Sequence, residues 1–132
     1  MIRWLTKDVI LAIHRELIDE HGGLPGVRDG NLLESAISRP RNLFEYERPG
    51  IFELAASYAY GMSRNHPFVD GNKRTAAMSA FVFLGLNGMD LHASEESMVT
   101  IMLDLAAGEL EEEALATWLR ENSSPTPSGD ES

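Results

Sequence analysis

The chain has 132 residues, no cysteine, and 21 acidic against 11 basic side chains, for a formal charge of −10. That length suits one domain around a single core, and the lack of cysteine excludes disulfides and thiolate metal sites. The acidity argues against direct nucleic-acid binding and against adhesion to an anionic membrane, and a cysteine-free chain suits the reducing cytoplasm, which is the expected location.

The first segment, MIRWLTKDVILAIHRELIDEHGG, breaks its apolar run with Lys7, Asp8, His14, Arg15 and Glu16, so no secretory signal is expected. Thr6 can cap a helix with Val9, Ile10, Ile13 and Leu17 on one face, ended by Gly22-Gly23. Asn31 with Glu34 resembles a capping box opening the helix NLLESAIS, which is predicted to stop before Pro40. The following PRNLFEYERPG, 40–50, reads as a loop or short flap. From Ile51 a stripe of Leu54, Ala55, Tyr58, Ala59 and Met62 predicts a helix to Arg64 or Asn65.

A further helix is predicted from Asn72. Its residues 76–86, AAMSAFVFLGL, are apolar nearly all round, which predicts a central helix buried on every side. The run is too short to cross a bilayer. MDLHAS is a candidate short strand, with MIRWL as its candidate partner. Ser94 caps a helix with Met98, Ile101, Met102 and Leu105 inside, and a last helix after Gly108 carries Leu115, Trp118 and Leu119. The composition of NSSPTPSGDES predicts a disordered polar tail over 122–132, after one domain over 1–121. The fold class expected is all-α: a compact bundle of about six helices around a buried central helix, with a minor short β element.

One stretch concentrates polar chemistry. In HPFVDGNKRTA, 66–76, the loop from His66 to Gly71 runs into a helix opened by Asn72, Lys73 and Arg74. A helix N-terminus offers unpaired N–H groups and the positive dipole end, a natural anion site. Gly71 lets a ligand approach the backbone, and Asn72 can cap the helix or donate to a phosphate. Lys73 and Arg74 oppose the dipole unless a polyanion is bound there. Asp70 beside a phosphate cradle suits magnesium, His66 can act as general base on an attacking hydroxyl, and Phe68 reads as the loop's anchor in the core. Together these residue types point to phosphate-group transfer from a magnesium nucleotide. The bland alternative is a loop leading into a solvated helix start. His14, His21 and His92 are dispersed and receive no metal role.

HPFVDGNKR resembles the Fic signature H-P-F-x-[D/E]-G-N-[G/K]-R, and GGLPGVRDGNLLESAISRPRN and LAASYAYGMSRNHPFVDGNKRTA both resemble the Doc (death-on-curing) branch of that superfamily. The resemblance implies an α-helical, ATP- and magnesium-dependent toxin of a toxin-antitoxin pair that modifies a protein hydroxyl. It makes His66 the base, Asp70 the magnesium ligand, Gly71 and Asn72 the anion nest, and Lys73 and Arg74 the phosphate grip, with Phe68 as anchor. Nucleotidyl-transferring members have Gly at the place of Lys73 and a second Arg at the place of Ala77. Doc-like members share the lysine and are understood to bind ATP reversed. The implied activity is therefore a protein kinase passing the γ-phosphate to a Thr or Ser of elongation factor Tu, which arrests translation. AMP transfer is the alternative, and a catalytically idle binding module a further one. A metal-dependent phosphodiesterase built on His66 and Asp70 lacks further ligands at metal spacing. The resemblance also implies a Phd-like antitoxin as partner. Thr117–Asn122, TWLREN, fits the loose pattern of a self-inhibitory helix whose glutamate meets the motif arginine in other Fic proteins.

Overall fold

The computed structural model describes residues 1–127. Six helices and one two-stranded sheet follow one another as α1 (Lys7–His21), α2 (Gly30–Glu47), α3 (Ile51–Asn65), α4 (Asn72–Leu86), β1 (Met89–Leu91), α5 (Glu95–Ala106), α6 (Glu112–Glu121) and β2 (Ser123–Pro125). This is the all-α bundle with a minor β element that the periodicity predicts. Among the described residues no helix is long and apolar enough to cross a membrane.

The termini of α1 and α5 form as their sequences suggest. Thr6 Oγ1 accepts from Val9 N at 3.2 Å, Ser94 Oγ accepts from Ser97 N at 3.1 Å, and Gly22, with φ +82°, turns the chain out of α1. α2 departs from expectation at both ends. Its cap is Asp29, whose Oδ1 accepts from Leu32 N at 3.0 Å, and Glu34 instead pairs with Lys7 at 2.8 Å. The helix also continues through Pro40 to Glu47, so 40–50 is not a loop or flap. Pro40 cannot donate to the Ala36 carbonyl, but the apolar stripe Leu33, Ala36, Ile37, Pro40 and Phe44 runs unbroken past it, and Phe44 packs edge-on against Trp4 with ring centroids 5.6 Å apart. Tertiary packing thus outweighs the local penalty of about 3 kcal/mol for an internal proline.

The wholly packed helix is α3, which lies against α2, α4, α5 and α6. Its small residues Ala55, Ala56, Ser57, Ala59 and Gly61 are buried, and a methyl added at Gly61 would come within 3.3 Å of the Ala36 Cα. Such a surface lets neighbouring helices approach on all sides. Tyr58, fully buried, accepts from Leu5 N at 3.0 Å, and its burial raises its pKa above the ordinary value. The apolar α4, expected to be covered all round, instead leaves Phe81 at 43% and Leu86 at 42% exposure. One face of α4 is therefore open.

The strand at Met89–Leu91 is present, but its partner is not MIRWL. It pairs antiparallel with Ser123–Pro125, in register Asp90 with Ser124. The N-terminal segment is held instead by Asn87, whose side chain accepts from Arg3 N and donates to Arg3 O, both at 2.9 Å. A polar composition predicted disorder from Asn122, yet the start of this stretch completes the sheet, and Thr126 N donates to Gly88 O at 2.8 Å. The rest of the predicted tail, 128–132, lies outside the described residues.

Candidate active site

The polar motif occupies the turn between α3 and α4. His66 closes α3 in the left-handed conformation, φ 46° and ψ 55°, which is uncommon for a residue with a Cβ. It is held there from the preceding loop. Arg28 Nε donates to the His66 carbonyl at 2.7 Å and its terminal nitrogen donates to the Asn65 carbonyl at 2.9 Å. The backbone N–H groups of Arg28 and Asp29 both donate to Pro67 O, at 2.7 and 3.1 Å, and Val27 pairs with Phe68 as an isolated bridge. The GGLPGVRDG segment is thus a clamp on the motif loop.

Below the loop, Phe68 is buried and its ring stacks on His14, centroids 3.8 Å apart and 8° from parallel. His14 Nε2 is 2.8 Å from the Asp70 carbonyl oxygen, so it donates there. Phe68, the expected anchor, thus lies in the core beneath the loop. His14 sits where the α1 stripe Ile10, Ile13, His14, Leu17 has its one polar member. That position was the available signal for a role sequence reasoning missed, as was Arg28 within the GGLPGVRDG stretch.

Asn72 is placed differently from expectation. The helix cap is Gly71, and the Asn72 side chain turns back to Phe68, accepting from its N–H and donating to its carbonyl, both at 2.9 Å. The buried amide braces the loop, and only its backbone N–H is left for an anion. Asn72 Nδ2 also lies 3.5 Å from His66 Nδ1, the outer limit of a hydrogen bond. Gly71 has φ +77°, and a Cβ there would meet Ile18 Cδ1 at 3.3 Å, so the turn requires glycine. No side chain caps α4 and no acid sits in its first turn. Its N–H groups and dipole are open toward an anion.

His66, Asp70, Gly71, Asn72, Lys73 and Arg74 line one open cleft of about 630 Å3, so the structure brings together every predicted site residue except the buried anchor Phe68. Lys73 makes no ion pair among the described residues. Arg74 donates to Glu95 Oε1 at 2.8 Å, and the same oxygen lies 3.0 Å from His21 Nε2, so the end of α1 and the starts of α4 and α5 meet at one carboxylate. The carboxylate on Arg74 thus comes from α5; among the described residues no ion pair joins it to Glu121 of TWLREN.

The donor set fits magnesium held chiefly by a nucleotide. Asp70 Oδ2 accepts from Leu24 N at 2.8 Å, leaving the other oxygen facing no described donor. One carboxylate beside a phosphate cradle is what magnesium requires of a protein, since phosphates and water complete its shell. The one group of three potential ligands among the described residues is Glu20, His21 and Glu95. The Arg74 guanidinium already occupies Glu95 there and opposes a second cation.

Residues 4–84 match the profile of the Fic/DOC family. The chain belongs to the Fic/Doc family. The chain is 35% identical to a protein named "Protein kinase doc" from Escherichia phage P1 over 120 residues, which is 90% of this chain and 94% of that one. It is 42% identical over 74 residues to a "Toxin Doc" of Mycolicibacterium smegmatis, covering 54% of this chain and 57% of the relative. In this Fic/Doc protein the profile ends within α4, so α5 with Glu95 lies outside the matched segment.

Proposed function

We propose that this chain is a Doc-type toxin, a protein kinase that transfers the γ-phosphate of ATP to a Thr or Ser hydroxyl of a translation factor, with elongation factor Tu as the target the family resemblance favours. It acts in the cytoplasm and is silenced by a Phd-like antitoxin. The observation that carries the reading is the start of α4: an uncapped helix N-terminus bearing Lys73 and Arg74, next to His66, with the buried Ala77 one turn on. A lysine fills space that a glycine would leave for a longer phosphate chain, and Ala77 supplies no second grip. The phage P1 relative is itself named a protein kinase, which supports this reading.

In this reading the residues take the roles that the family resemblance implies. His66 takes the proton of the target hydroxyl, whose oxygen bonds to the γ-phosphorus as the bond to the β–γ bridging oxygen breaks and ADP leaves. The Gly71 turn and the first N–H groups of α4 receive the charge on the phosphate oxygens, and Lys73 and Arg74 balance the rest of the chain. Asp70 would hold magnesium, which would supply neutralisation of the phosphate charge. Phe68, His14 and Arg28 act indirectly, by holding the loop.

The test is incubation of the purified chain with magnesium, elongation factor Tu and ATP labelled at the α- or the γ-phosphate, with His66→Ala as control. Label from the γ position only is expected. Transfer from the α position makes the chain an AMP transferase, and no transfer from either removes elongation factor Tu as the substrate.

A further inference from the structure

The backbone of the motif is sorted by direction. The carbonyls of His66, Pro67, Phe68 and Asp70 each accept from the protein: from Arg28 Nε, from the N–H groups of Arg28 and Asp29, from Asn72 Nδ2 and from His14 Nε2. The N–H groups of Gly71, Asn72, Lys73 and Arg74 have no acceptor among the described residues. We propose that His14 fixes this polarity at the peptide joining Asp70 to Gly71, and so aims the Gly71 N–H at the phosphate held at the start of α4. His14 is then a positioning residue, acting through a peptide and touching no substrate.

In a trans peptide the C=O and the N–H point in opposite directions. His14 lies on α1 beneath the loop, 4% exposed, with Nε2 2.8 Å from the Asp70 carbonyl oxygen. A carbonyl can only accept, so Nε2 carries the proton, and the Gly71 N–H is turned away from α1 into the cleft that Gly71 lines. The floor under this peptide is α1 itself: a Cβ on Gly71 would meet Ile18 Cδ1 at 3.3 Å and His14 Nε2 at 3.6 Å. His14 is the only donor to the Asp70 carbonyl among the described residues.

That single bond matters because glycine opposes a flip of the preceding peptide less than other residues do. A flip would cost the anion twice. It would withdraw the Gly71 N–H and present the negative end of the carbonyl dipole in its place.

His14 has a second contact, made by different atoms. Its ring stacks on Phe68, centroids 3.8 Å apart and 8° from parallel. The two contacts can be removed separately. Phenylalanine at position 14 keeps a ring on Phe68 and loses the N–H, whereas glutamine carries an amide N–H to about the reach of Nε2 and loses the ring. The proposal rests on the kinase reading for the identity of the anion and deepens it by naming what orients one of its donors.

The test compares wild type, His14→Phe and His14→Gln as full chains, by thermal unfolding, by titration calorimetry with magnesium and inorganic tripolyphosphate, and by label transfer from ATP to elongation factor Tu. His14→Phe is expected to melt close to the wild type, yet to bind tripolyphosphate about tenfold more weakly. At saturating ATP its transfer rate should fall by about 10²-fold, the scale of one lost oxyanion donor. His14→Gln is expected to melt lower than His14→Phe but to bind tripolyphosphate more tightly than it does. Opposite rankings in stability and affinity are what packing alone would not give. If His14→Phe binds as the wild type does and His14→Gln binds weakly, the effect belongs to the ring and the proposal is overturned. A readout on the wild type serves even where a variant fails to fold: the Gly71 amide proton should move downfield in NMR spectra as tripolyphosphate is added. An unmoved Gly71 amide overturns the proposal. If label comes from the α-phosphate, or from neither position, while the affinity ranking and the Gly71 shift hold, the kinase reading falls and the role of His14 stands.

Discussion

The motif cleft, about 630 Å3, and the groove between α2, α3 and α6, about 600 Å3, are of similar size and each is lined by one arginine. In the groove, Arg39 makes two 2.7 Å bonds to Glu112, a 2.9 Å bond to Ser57 Oγ, and lies over the Tyr60 ring at 4.6 Å. Arg120 is likewise paired with Glu53 at 2.6 Å. The hydrogen bonds that Arg39 donates to Glu112 raise the Arg39 pKa above its ordinary value, the signature of a cation satisfied by the protein itself. In the motif cleft Lys73 has no such partner among the described residues, Arg74 has one exposed carboxylate, and a helix N-terminus is left uncapped. An arginine closed on its own carboxylate ties three helices together. A cation beside an open dipole remains available to an anion. What separates the two arginines is how fully the protein itself pairs them.

The contrast can be broken experimentally. The largest expected effect is on chemistry: His66→Ala lowers phosphate transfer by about 10²–10⁴-fold, measured as initial rate with labelled ATP. Its thermal unfolding should match the wild type, because the ring is exposed and reaches the buried Asn72 only at 3.5 Å, the limit of a hydrogen bond. A melting point several degrees lower would show that His66 serves the fold instead. Phe68→Ala strikes both properties. Removing the buried ring from its stack on His14 should destabilise the chain by about 3–5 kcal/mol in denaturant unfolding, and weaken nucleotide binding with it. Normal stability would mean the loop is anchored elsewhere.

Arg74→Ala and Arg39→Ala form the direct comparison. The first is expected to weaken ATP binding by about tenfold through loss of a charge-assisted contact, with unfolding free energy unchanged within about 0.5 kcal/mol. The second is expected to leave ATP binding alone and to lower stability by about 1 kcal/mol, discounted because the pair is partly exposed. The same response from both variants would erase the distinction between the two arginines. The smallest effect is the sharpest: Glu95→Gln frees Arg74 from its carboxylate and should tighten tripolyphosphate binding by up to about fivefold, the scale of an exposed ion pair. Weaker binding would mean that Glu95 positions Arg74 for the phosphate and does not compete with it.

Most helices were legible because their signals are local. Thr6, Ser94 and Gly22 announce ends through side-chain or φ chemistry that acts within one turn, and the stripes of α1, α3 and α5 repeat at helical spacing. The motif was legible for the same reason, since the loop and the first turn of α4 are contiguous in sequence. Pro40 misled because its penalty is local while the force that overrides it, packing against Trp4 and α3, comes from distant segments. The partner of β1 was equally hidden, as the polar Ser123–Pro125 carries no strand signal and forms a strand only beside Met89–Leu91.

The sequence alone determined an all-α domain and a polar motif at the head of an apolar helix, because helical periodicity, capping and the loop-to-helix motif each act over a few residues. Only the tertiary structure decided that α3 is the packed centre, that α4 keeps an open apolar face, and that Arg28, His14, His21 and Glu95 converge on the motif from three other segments. Those outcomes depend on which faces of separate helices find each other, and no local pattern encodes that choice.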